Sequence, residues 1–152
     1  VSTWKTLSGW GFTPEQRPAN EIPDIPEDIT ELTDQQLMEL FGEFTGWTVY
    51  AAHRKAGTER NLRSVQQHLR YVTALASVRA TSERTVAGRK AAAQADPEVQ
   101  QAETEVADAT DVVAAMEIVW ENTKLKTQLV SRELSRRIAQ DGHESRAAKW
   151  GV

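Results

Sequence analysis

The sequence predicts an all-α protein: a long antiparallel helical hairpin, coiled-coil-like, preceded by an extended N-terminal arm rich in proline and tryptophan. Three observations predict it. Charge alternates in four blocks along the chain, apolar residues recur in two long ladders at 4,3 spacing, and proline is confined almost entirely to the first 31 residues. Residues 1–52 hold two Lys/Arg against nine Asp/Glu, 53–90 nine against two, 91–121 none against eight, and 122–152 seven against three. The net charges are therefore -7, +7, -8 and +4, and a bend near residues 82–97 lays the +7 block beside the -8 block.

Composition narrows the class. The 152 residues suit one domain, but only 39% are hydrophobic, and a long hairpin buries little of its own surface, so partners are expected. With no cysteine, disulfides and thiolate metal sites are excluded. No apolar run approaches the roughly 20 residues of a membrane span, and the N-terminus lacks a signal-peptide pattern. The expectation is a soluble protein of the cytoplasm or of a particle.

Residues 1–31 form the arm. Pro14, Pro18, Pro23 and Pro26 oppose helix by removing donors and fixing φ, while Trp4, Trp10, Phe12, Ile22, Ile25 and Ile29 are costly to leave in water. An arm of this kind is expected to dock on a neighbouring subunit and to leave the hairpin able to fold without it.

The hairpin is expected over residues 32–141. Thr33 with Gln36 fits a capping box, so the first helix is placed at about 33–81. Its ladder runs Leu37, Phe41, Phe44, Thr48, Ala51, Lys55, Thr58, Leu62, Val65, Leu69, Val72, Ala76. The ladder is weak from Thr48 to Thr58, where Gly46 and Gly57 also lower helix propensity, and a bend or break is expected near Gly57. The connector, 82–96, is expected to hold a short helical turn from Thr85 to Ala93.

Asp96 before Pro97 supplies an N-cap acceptor and a proline at the first helical position, and Glu98 complements the dipole, which places the second helix at about 97–140. Its ladder is Val99, Ala102, Val106, Ala109, Val113, Met116, Trp120, Thr123, Thr127, Val130, Leu134. A second stripe through Val112, Val119 and Leu129 widens the apolar face beyond what one partner covers. Gly142 is expected to end this helix, leaving residues 142–152 as a tail with Trp150.

No catalytic constellation emerges. His53, His68 and His143 form no ligand pair at i,i+4 spacing, and the GWG at residues 9–11 lacks the rest of a phosphate-binding loop. The carboxylates of 96–121 are spread around their helix, as on a solvated or ion-paired face. The reading is therefore of a protein that is not an enzyme, with no cofactor and no metal. The aromatic residues Trp4, Trp10, Phe12, Trp47, Trp120 and Trp150 are the candidate partner-binding anchors. Near the bend, Arg79, Arg84, Arg89 and Lys90 either pair internally with the acidic helix or contact phosphates.

Three segments carry a resemblance. LTDQQLMELFGEFTGW at 32–47, ADPEVQQAE at 95–103 and VSRELSRR at 130–137 resemble a helical-hairpin family of actinobacterial tailed phages. The hairpin is also similar, more faintly, to the UvsY recombination mediators of T-even phages, which are oligomeric, bind single-stranded DNA and carry basic residues close to the bend. Here ASVRAT at 76–81 and Arg84 stand in that place, without neighbouring aromatics. The first resemblance implies an accessory virion subunit of the capsid or head-tail region, present in the host cytoplasm during assembly and partnered with itself and other phage structural proteins. The second implies a single-stranded-DNA-binding mediator using Arg79, Arg84, Arg89 and Lys90. An assembly scaffold absent from the finished particle is a third expectation.

Overall fold

The computed structural model describes residues 3–11, 16–80 and 83–150, with side chains over 5–11, 16–80 and 83–144. Helix occupies 83% of these residues and none is in a strand. The described residues form four α-helices, α1 (Thr3–Gly9), α2 (Asp34–Arg79), α3 (Val86–Gln94) and α4 (Pro97–Trp150), with a 3-10 turn at Ile29–Glu31. The long helices α2 and α4 pack against each other as the hairpin.

Local chemistry sets most boundaries. Thr33 and Gln36 form a reciprocal capping box: the Gln36 amide donates to Thr33 Oγ1 at 3.2 Å, and the Thr33 amide donates to Gln36 Oε1 at 2.8 Å. At the start of α4 the Glu98 amide donates to Asp96 Oδ1 at 2.9 Å. Thr85 caps α3 by accepting from the Gly88 amide, so the helical turn expected in the connector is a nine-residue helix.

Three boundaries differ from expectation. The arm opens with a helix, because residues 3–9 precede the first proline; Gly11, at φ +87°, then takes the left-handed conformation that commonly ends a helix. α2 is continuous through Gly57: nothing lies within 4 Å of where a Cβ would stand, and one glycine costs about 1 kcal/mol, too little to break 46 residues. α4 likewise runs through Gly142 to Trp150, since the following Glu144, Ser145, Arg146, Ala147 and Ala148 sustain a helix.

The chain forms two compact units, Val1–His53 with Val119–Val152, and Arg54–Ile118, to each of which α2 and α4 contribute a part. The core of the first is Leu37, Phe44 and Val130, all fully buried, with Ile25, Ile29, Leu32, Leu40, Phe41 and Leu134 packed on it. The core of the second is Val72, Ala76, Ala93, Val99 and Ala102, with Leu69 against it. Every residue of the two expected ladders is buried or half-buried.

The polar middle of the ladders is matched within each unit. In the first, Thr48 and Thr127 hydroxyls lie 3.1 Å apart, and in the second Lys55 pairs with Glu117. Polar residues at seam positions thus meet polar residues, which fixes register at a cost in stability.

Candidate functional site

Among the described residues, no group of His, Cys, Asp or Glu is placed to hold a metal ion, and no helix is long and apolar enough to cross a membrane.

In the first unit the arm from residue 17 to residue 31 lies on its own hairpin. Ile25, Ile29 and Leu32 join the core, the Arg17 guanidinium sits 5.8 Å from the Trp47 ring centroid, and Asn20 donates to Glu43 at 3.3 Å. Pro18 passes over Gly46, where a Cβ would stand 3.8 Å from its Cγ, and Lys126 Nζ donates to the Pro23 carbonyl at 3.4 Å. This corrects the expectation that the whole arm docks on a neighbour. Its apolar residues Ile25 and Ile29 are used within the chain.

One arginine ties the end of the arm to both long helices. Arg137 donates to Glu133 Oε1 at 2.8 Å, to Asp34 Oδ1 at 2.7 Å and to the Thr30 carbonyl at 2.9 Å, joining α4, the first residue of α2 and the 3-10 turn. Arg136 completes the group with two bonds to Glu133, at 2.7 and 2.8 Å. Hydrogen bonds from Arg136 and Arg137 hold the Glu133 carboxyl at about 2, below its ordinary 4.5, although burial opposes this. Asp28 is held low as well, chiefly by the Thr30 hydroxyl and then by the Thr30 amide, which donate to it at 2.6 and 2.8 Å. Sequence reading missed this cluster; its signal was Glu133 standing three and four residues before two arginines.

The candidate anchors have different fates. Trp47 is 8% exposed and packs edge-on to Tyr50 with ring centroids 5.8 Å apart, so it serves the chain's own core instead of an outside partner. Trp120 is half-buried with Lys124 Nζ 4.9 Å from its ring centroid. Trp10 is 71% exposed and presents an outward aromatic face. Phe12 lies outside the described residues, as do the side chains of Trp4 and Trp150.

In the second unit the basic residues divide. Arg79 donates to Glu98 at 3.1 Å across the hairpin, an exposed pair. Arg84, Arg89 and Lys90, by contrast, have no carboxylate within ion-pair distance among the described residues, and neither has Arg70 of α2. The +7 and -8 blocks thus meet through Lys55 with Glu117 and Arg79 with Glu98, and much of their charge faces outward.

Two grooves mark this unit. One, of about 520 Å³, is lined by Ser77, Val78, Val86, Arg89 and Lys90; its two valines are 71% and 82% exposed. The other, of about 370 Å³, lies between α2 and α4 and is lined by Thr58, Asn61, Val65, Glu105, Asp108, Ala109 and Val112. The first is cationic and the second anionic, and each offers exposed apolar surface beside its charges. Compared with protein-family models, with curated proteins and with solved structures, the chain yields no match.

Proposed function

We propose that this chain is a non-enzymatic structural subunit of a tailed-phage particle, an accessory component of the capsid or head-tail region that works by packing helices of several copies together. The observation that carries the oligomeric part is apolar surface on the outside of the helices. Tyr71, Val78, Val112, Leu125 and Ile138 are each more than half exposed although both hairpin seams are already filled. Large apolar side chains left in water on long helices favour association. The particle itself is supported by the resemblance carried by residues 32–47, 95–103 and 130–137.

Attachment to another virion protein then falls to residues 3–11, with Trp10 as the anchor, since Arg17, Pro18, Asn20, Pro23, Ile25 and Ile29 are engaged by their own hairpin. Quantitative mass spectrometry of purified particles tests the reading. Stoichiometric presence is the expected result, and absence from particles that assemble normally rejects it.

A second reading, an oligomeric single-stranded-DNA-binding recombination mediator, is favoured by one observation: Arg84, Arg89 and Lys90 are exposed and without acidic partners among the described residues. Binding of an oligothymidine that weakens steeply with salt is what this reading requires.

A further inference from the structure

The unit formed by Arg54–Ile118 carries two grooves of opposite charge, and neither is neutralised from within. The cationic one is lined by Val78 and Val86 together with Arg89 and Lys90. In the anionic one, the half-exposed Val112 stands beside Glu105 and Asp108, with the exposed Asp111 adjoining along α4. Glu105 accepts a hydrogen bond from Gln101 at 3.1 Å, but none of Glu105, Asp108 and Asp111 has a basic partner within ion-pair distance among the described residues.

We propose that these grooves are the two halves of one self-association contact, in which the cationic groove of one copy receives the acidic ridge around Val112 of a second copy. The occupant follows from complementarity of both kinds. An exposed valine pair in a groove with two cations fits an exposed valine in a groove with carboxylates, and residues 91–121 contain eight carboxylates and no cation to disturb the match. Opposite charge sets the approach and register, while the valines supply the apolar surface removed from water. Since every copy owns both halves, the contact repeats from copy to copy or closes on itself by symmetry. This rests on the oligomeric reading above and names the surfaces through which it occurs.

The test is a charge exchange in the full chain, read by sedimentation velocity at low and high salt, with circular dichroism as the check on folding. The wild type is expected to associate at low salt and to dissociate as salt rises. Arg89→Glu with Lys90→Glu, and separately Asp108→Lys with Asp111→Lys, each lower the association constant by roughly 100-fold or more, because like charges then face each other. Combining all four substitutions in one chain restores association, a result that damage to the fold does not produce. Association unchanged by either pair overturns the proposal while leaving an oligomeric subunit intact; a wild type that stays monomeric at low salt overturns both. Loss of oligothymidine binding by the Arg89 and Lys90 variant with its sedimentation unaltered also overturns it, in favour of nucleic acid as the occupant.

Discussion

Single residues carry two separable tasks in this chain, holding helices continuous and holding the arm down. Gly57 illustrates the first: it sits inside α2 with open space where a Cβ would stand, so alanine there adds no clash and removes glycine's backbone entropy cost. Gly57→Ala is expected to raise stability by about 0.5–1 kcal/mol, read as a higher urea midpoint. Glu133 illustrates the second. Its carboxyl is held at about 2 against an ordinary 4.5, so the stabilisation from its arginine partners is complete above pH 4.5 and is lost as pH falls from there through 2. The thermal midpoint of the wild type should fall across that window. Glu133→Gln should show a lower midpoint at neutral pH and a flatter acid limb; an unchanged acid limb would show that the cluster does not govern this response.

Elements show which interactions are written locally and which are not. The capping box at Thr33, the Asp96-Pro97 start of α4 and the Thr85 cap of α3 each lie within three residues of what they satisfy; the first two were read from the sequence, and of the third only a helical turn was. The ladders were legible too, because helical period alone decides which side chains face the seam. The fate of the arm was not. Its fastening depends on Arg137 reaching Thr30 and Asp34, and on Lys126 reaching Pro23, contacts about a hundred residues apart that no local pattern encodes. Nor could the charge blocks reveal that Arg84, Arg89 and Lys90 would have no carboxylate within ion-pair distance among the described residues, since block charge says nothing about where each side chain comes to lie. A pair of truncations checks the arm. Removing residues 1–11 should leave the melting temperature nearly unchanged, whereas removing 1–31 uncovers the core around Leu37, Phe44 and Val130 and should lower it sharply. Equal midpoints would show that Ile25 and Ile29 contribute nothing to that core.

At the scale of the whole molecule, the two units differ in what they bury. The core of the first unit holds a phenylalanine and large aliphatic side chains and is strapped by the arm, while that of the second is built mainly from alanine and valine. Transfer free energy follows buried apolar area, about 25 cal/mol per Å², so the second unit has the smaller internal driving force although its helices are continuous with those of the first. Native-state hydrogen exchange of the dilute chain should therefore show faster exchange in residues 60–79 and 97–115 than in 37–53 and 119–137, because local opening free energies track buried apolar contact. Raising the protein concentration should slow exchange selectively in 60–79 and 97–115, as mass action adds intermolecular contact to the weaker unit. Uniform protection at all concentrations would mean that the alanine-rich core suffices alone, and that the exposed valines of that unit have no partner among copies of this chain.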